Sequence, residues 1–324
     1  MIVAIAIIRT RDLFAVTMLL SIYGLLSASF FVTLDAVDVA FTEAAVGAGI
    51  SGLLMLVAIS ITGRKEQRAK RKPFIALLVV SLTALLLFYG ISDMPYFGVP
   101  DAPIHNHVAP RYIQDSMAEV GIPNVVTSVL ATYRAFDTFG EVVVIFTAGI
   151  GVLALLSASN NHSQAKNIVS DQNAMDKRHL VIRVVTKILF PFILLFALYV
   201  QFHGDFGPGG GFQAGVVFAA AVILYAMLFG MGEATKVFSQ SLVQFVAAIG
   251  VLLYASVGVA TLLLGGDFFD YNYLANDPIA GQHIGILVIE SGVGCTVAAV
   301  MMMIFFSFND LQEQQNANNN KEPE

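Results

Sequence analysis

The chain has 324 residues, 57% of them hydrophobic and only 12% charged, with a mean hydropathy of +0.76. Soluble domains carry about 25% charged residues, so this composition excludes an ordinary soluble fold and points to a bilayer. The net charge of −6 says little, because placement outweighs the sum in a membrane, and the single cysteine excludes an internal disulfide or a cysteine metal cluster.

The N-terminal run Ile2–Ile8 is too short to span and precedes Arg9 and Arg11, the reverse of a secretory signal. Eight later runs are long enough: Leu13–Leu34, Ala44–Ile61, Phe74–Ile91, Phe139–Ser157, Val184–Phe202, Phe212–Gly230, Leu242–Leu264 and Ile284–Phe308. Lipid offers backbone N–H and C=O groups no partners, so each run must be helical. The expected fold is all-α and polytopic, with about eight transmembrane helices and an incomplete extra helix at the N-terminus. Cys295, inside the last run, reads as a small buried hydrophobe.

Basic residues set the orientation. Arg9 and Arg11, the loop Gly63–Pro73 with Arg64, Lys65, Arg68, Lys70, Arg71 and Lys72, and the stretch with Lys166, Lys177, Arg178 and Arg183 all fall on one side. The positive-inside rule makes that side the cytoplasm and places both termini there. The loop Gly265–His283 carries Asp267, Asp270 and Asp277 without Lys or Arg and falls opposite. The polar stretch 158–178 reads as a cytoplasmic linker between a membrane unit at 1–157 and another at 179–308. The tail 309–324, rich in Asn, Gln and Glu, reads as disordered.

Pro123–Asp137 has apolar residues at helical spacing and begins at a proline, which suits a first helical turn. It would lie on the membrane surface or dock on a partner subunit.

Acids inside apolar runs carry the functional signal, because a carboxylate at the bilayer centre costs roughly 2.5–3.5 kcal/mol on insertion scales. Glu43 opens the second run after Asp35 and Asp38. It is either a helix N-terminal charge favoured by the macrodipole or a proton- or cation-handling group. Asp137 and Glu141 are spaced i,i+4 and face each other on a helix, with Arg134 beside them; a salt-bridge cluster and an ion path both fit. Glu290 stands in the last run after His283 without a basic neighbour, and needs a partner helix, a water cavity or a proton.

The stretch from His203 through Pro208, Gly209, Gly210 and Gly211 to Gly215 lacks the Gly-Lys-Ser/Thr ending of a phosphate loop. It reads as a tight turn whose glycines, at 207, 211 and 215, let another backbone approach; ion coordination by its free carbonyls is the other reading. His105 and His107 read as a solvated loop, and no metal or cofactor site is expected.

Phe202, His203 and Gly204, then Pro208 to Phe212 with Gly215, then Gly281 to Gly285 and Glu290 to Gly294, resemble the B-type subunit of the Mrp-type multisubunit Na+/H+ antiporters, over Val181–Phe308. Asp38 to Gly47 and Tyr133 to Glu141 resemble the C-terminal portion of the large A-type subunit, whose first span would correspond here to Ile2–Ile8. The resemblance implies a bacterial-type inner-membrane complex in which separate antiporter-like chains are the partners, Na+ and H+ are carried, and no cofactor or nucleic acid is needed. It implies a non-enzymatic role in ion transport and pH homeostasis, with Glu43 and Glu141, helped by Asp35, Asp38 and Asp137, on the ion or proton path. His203, the Pro208–Gly211 turn, His283 and Glu290 are the structural or further ion-path candidates. Membership in the membrane arm of a redox-driven ion-pumping complex, or a scaffold role, are the competing expectations.

Overall fold

The computed structural model describes residues 1–66, 73–96, 98–157 and 180–319. Among these, eight helices are long and apolar enough to cross a membrane. In chain order the elements are a short α1 (Ile2–Arg9), α2 (Leu13–Thr33), α3 (Val37–Thr62), α4 (Pro73–Ser92), α5 (Val125–Ser128), α6 (Ala135–Ser157), α7 (Leu180–His203), α8 (Gly211–Phe229), α9 (Gln240–Leu263) and α10 (Pro278–Asn319). The linker expected at 158–178 lies outside the described residues, as does most of the basic loop before α4.

Of the basic residues, Arg64 and Arg183 are among the described ones with defined partners. Arg64 pairs with Asp12 at 3.1 Å, and the Leu13 N–H donates to the Arg64 carbonyl. Arg183, in the first turn of α7, stacks over the Phe229 ring.

Three expectations are corrected. First, α3 starts at Val37, not Ala44, so Glu43 lies about two turns inside the helix and is not an N-terminal charge. The helix can begin that early because Asp35 turns the chain with φ of 57°, a conformation short polar side chains tolerate. Asp38 then occupies the first turn, where the helix dipole favours an acid. Second, α10 continues as helix to Asn319, through the start of the tail expected to be disordered from Asn309. Third, Cys295 is exposed; it faces an apolar cavity of about 370 Å3 between α7, α8, α9 and α10.

Pro123–Asp137 is also not one continuous stripe. Helix α5 starts after Asn124, whose side chain accepts from the Val126 N–H at 3.0 Å. It passes into a π-helical turn, Val129–Tyr133, and breaks at Arg134 (φ −122°, ψ 31°) before α6. The break frees carbonyls that side chains recover. Thr138 donates to Leu130 at 2.8 Å, Tyr271 to Ala131 at 2.9 Å and Tyr254 to Ala135 at 2.8 Å. Both tyrosines are fully buried. The segment docks inside its own chain: Ser128 and Ala131 are buried, and the Thr127 hydroxyl donates to the Gly204 carbonyl at 2.7 Å. Its small and polar positions Thr127, Ser128 and Ala131 are thus covered by the chain itself, while the apolar Val126, Leu130 and Phe136 stay exposed.

Helix α10 is the axle of the bundle, packed by α6, α8 and α9. Glycines make the approach close. A Cβ on Gly215 would stand 2.7 Å from the Gly294 carbonyl, and one on Gly250 would stand 2.7 Å from the Gly292 carbonyl and 2.3 Å from Thr296 Oγ1. A second π-helical stretch, Ala44–Ile50, presents Gly47 to Gly24 of α2, where a Cβ would stand 2.6 Å from backbone. Without a hydrophobic drive between helices in lipid, such small-residue contacts supply the packing. Gly250→Val is therefore expected to abolish accumulation of the folded protein in membranes, whereas Gly232→Val, at a position with open space, leaves it unchanged; quantitative immunoblotting of membranes checks both.

Candidate functional site

A second cavity of about 370 Å3 lies where α3, α5, α6, α8 and α10 meet the turn before α8. Three carboxylates line it, one from each of three helices: Asp38 of α3, Glu141 of α6 and Glu290 of α10. Thr42, Thr138 and Gln213 add neutral polar groups. The rest of the lining is mostly apolar, with Val126, Leu130, Phe212 and Val293 among it.

The Gly-rich stretch is the expected tight turn, and its glycines admit the acids. Gly210 has φ of 116°, and a Cβ there would stand 3.0 Å from Glu290 Oε1. A Cβ on Gly211 would stand 2.1 Å from the Glu290 carbonyl. Gly211 and Gly215 thus make the close helix contacts expected of the four-residue spacing, while Gly207 instead faces the His203 ring. The Gly209 N–H donates to Asp38 Oδ1 at 3.2 Å. Gln213 Nε2 donates to Thr42 Oγ1 at 2.9 Å, and the Thr42 hydroxyl donates to the Asp38 carbonyl at 3.0 Å. Among the described residues no hydrogen bond reaches the Glu141 or Glu290 carboxylate, so both keep their oxygens for the cavity.

The grouping differs from the one suggested by sequence. Glu290, left open by the sequence between a structural and an ion-path role, shares a cavity with Asp38 and Glu141. Glu43 does not; its carboxylate folds over Gly47, against the π-helical stretch. Asp137 is paired with Arg134, whose Nε donates to it at 2.6 Å, and Asp35 is exposed in the turn before α3. The acids are also less enclosed than expected: Glu141 is exposed, and Asp38, Glu43 and Glu290 are half-buried. For Asp38, Glu141 and Glu290 the reason is geometric, since the cavity they line opens between helices.

His203 stacks on Tyr199 with ring centroids 4.9 Å apart. His283 Nδ1 stands 3.9 Å from Asp205 Oδ2 of the turn. Burial raises the Asp205 carboxyl above its ordinary range, and His283 draws it partly back. Sequence reasoning missed Asn124 and Gln213, whose neutral amides carry no charge signal; the cap position before α5 was the available clue for Asn124.

The segment 103–120 packs beside Tyr133. Its last short helix, Ser116–Glu119, is capped by Val120, which with Ile122 is fully buried. Arg111 pairs with Glu119 at 3.1 Å and lies over the Tyr133 ring, and the Tyr133 hydroxyl donates to Glu119. Burial first, then the Glu119 carboxylate, pushes the Tyr133 phenol up to about 12. The Tyr133 hydroxyl, then Arg111, holds Glu119 below its ordinary range. A depressed carboxyl stabilises the fold above its unfolded pKa and loses that contribution as pH falls through the folded value. Difference absorbance titration of the native chain against Tyr133→Phe is expected to show a phenol with a midpoint near 12. Glu119→Gln should move that midpoint down toward the ordinary tyrosine value.

The family described as a domain related to the MnhB subunit of Na+/H+ antiporter matches residues 181–303. The MbhD and MbhE families, both described as subunits of MBH, match residues 1–64 and 75–172. The chain is 25% identical over 307 residues to a probable K(+)/H(+) antiporter A/B protein of Rhizobium meliloti (strain 1021), covering 88% of this chain and 31% of that protein. It is 30% identical over 138 residues to the putative antiporter subunit mnhB2 of Staphylococcus aureus (strain Newman), covering 42% of this chain and 97% of that protein. In fold it is similar to a chain of the Mrp complex from Dietzia sp. DQ12-45-1b, with TM-score 0.72 and 24% identity over 95% of this chain and 33% of that one. A chain of the membrane-bound sulfane sulfur reductase, an archaeal respiratory membrane complex, superposes with TM-score 0.50 and 27% identity over 72% of this chain and 97% of that one. The chain thus spans about a third of the Rhizobium meliloti protein and of the Mrp chain.

Proposed function

This chain belongs to the MnhB family of the Mrp/Mnh antiporters, with an N-terminal portion of the MbhD and MbhE kind, and from that premise we propose that it is a membrane subunit of a monovalent cation/proton antiporter complex. Asp38, Glu141 and Glu290 serve as the ion or proton relay of this subunit. The observation that supports this is their convergence on one cavity from three helices in both halves of the chain. Carboxylate, hydroxyl and amide oxygens suit a hard monovalent cation, and carboxylates whose oxygens face a cavity can exchange such a cation for a proton.

Antiport of this kind couples the downhill movement of one ion to the uphill movement of the other and makes no covalent bond, so the role is that of a transporter component and not of an enzyme. Antiporter-like chains elsewhere in the complex complete the path. The units at 1–157 and 179–308 contribute one wall each, and the basic end with both termini faces the cytoplasm of a bacterial-type cell. A second reading, the membrane arm of a redox-driven complex, draws on the likeness to the sulfane sulfur reductase chain and on the MbhD and MbhE matches.

In everted vesicles carrying the whole complex, Glu141→Gln and Glu290→Gln are each expected to cut cation-driven proton exchange by about tenfold, the effect of losing roughly 1.4 kcal/mol. Glu43→Gln, off the cavity, should leave exchange near its unsubstituted level. Unchanged exchange in both cavity variants with normal assembly would falsify the relay. Exchange that needs an electron donor would favour the redox reading.

A further inference from the structure

The geometry points to Asn124 as the positioning residue of the ion site, holding Asp38 and the Gly-rich turn in fixed register. This inference rests on reading the cavity as that site. Asn124 Nδ2 donates to the Gly204 carbonyl at 2.9 Å, to the Gly207 carbonyl at 3.0 Å and to Asp38 Oδ1 at 3.4 Å. Its Oδ1 accepts from the Val126 N–H, and its backbone N–H donates to the Asp205 carbonyl at 3.1 Å. The amide orientation follows from these partners, because an N–H needs the oxygen while two carbonyls and a carboxylate need the nitrogen.

Asn124 and its partners lie in three different stretches. Asp38 belongs to the stretch matched at 1–64, Asn124 to the one at 75–172 and Gly204 and Gly207 to the one at 181–303. One side chain therefore joins all three at the edge of the cavity. Asp38 Oδ1 is held from both sides, by Asn124 and by the Gly209 N–H. The same turn carries Gly210 over Glu290, so its position also sets the separation of Asp38 and Glu290. A shift of the turn would move two relay groups relative to each other without removing either.

Only an amide does all of this. Aspartate at 124 would keep the helix cap but lose every bond the side chain donates, and would set a second carboxylate against Asp38. Serine would keep the cap and one donor. The titratable groups around the pair are Asp38 on α3, Glu141 on α6, Glu290 on α10 and Asp205 on the turn, with His283 beside Asp205 and His203 beside Gly207 as the bases. Among these described residues no lysine or arginine offsets added negative charge at 124.

The test uses the whole complex in everted vesicles, with Na+ and, separately, K+ as the added cation, over a series of pH values. Asn124→Asp is expected to raise the half-saturating cation concentration by about tenfold and to move the pH profile of exchange to higher pH, with assembly unchanged on native gels. Asn124→Ser should fall between the two. Adding Asp38→Asn to Asn124→Asp restores one carboxylate and one amide, and should bring the pH profile back toward the original. A role confined to folding would lower the maximal rate and the amount of complex together and leave half-saturation and pH profile in place; that result overturns the proposal. If Asn124→Asp does not accumulate, Asn124→Ser decides by the same criterion. Asp38→Asn alone separates the two levels. Full exchange in that variant overturns the ion-site reading and this inference with it. Loss of exchange there, with an unaltered Asn124→Asp complex, overturns the positioning role alone.

Discussion

A backbone carbonyl freed inside a bilayer must find its donor within the protein, and the region around the cavity is organised by that requirement. The chain breaks at Arg134, between the π-helical turn and the helix that carries Glu141. Thr138, Tyr254 and Tyr271 supply the donors the break needs. Each unsatisfied group would cost several kcal/mol in hydrocarbon, so the break persists only because these side chains reach it. The two tyrosines come from α9 and from the loop before α10, which ties the irregular segment to the most buried part of the bundle.

The same economy of space governs α10. Gly215, Gly250, Gly292 and Gly294 bring backbones so near that side chains are excluded, and the helix axis is fixed by contact and not by hydrophobicity. With the axis fixed, Glu290 falls under the turn at Gly210 and opposite Asp38 and Glu141. The glycines of the turn therefore do two jobs: they close the connection between α7 and α8, and they leave room for a carboxylate. Asn124 completes the arrangement by giving the turn's carbonyls the donors their own backbone cannot provide.

Much of this was legible in the sequence. Span number and helical class follow from run length, a property local to each segment. The candidate acids were also visible, because a carboxylate in an apolar run is rare enough to stand out. Their grouping was not. Nearness in sequence suggested Asp38 with Glu43 and Asp137 with Glu141, yet on a helix Glu43 turns away from Asp38, and Asp137 is taken by Arg134. The helix breaks were illegible as well: a π-turn at 129–133 has no composition of its own and is stabilised by residues more than a hundred positions away.

The sequence by itself determined that this chain is a multi-span membrane protein, which residues are charged within it, and which glycines permit close approach. These are consequences of transfer energies and side-chain size, which each residue carries wherever it is placed. Tertiary structure alone decided that Asp38, Glu141 and Glu290 face one cavity, that Glu43 does not, and that a neutral asparagine joins the three stretches around it. Those outcomes depend on helix rotation and depth, which are set by the sum of many glycine contacts and recovered hydrogen bonds and belong to no single segment.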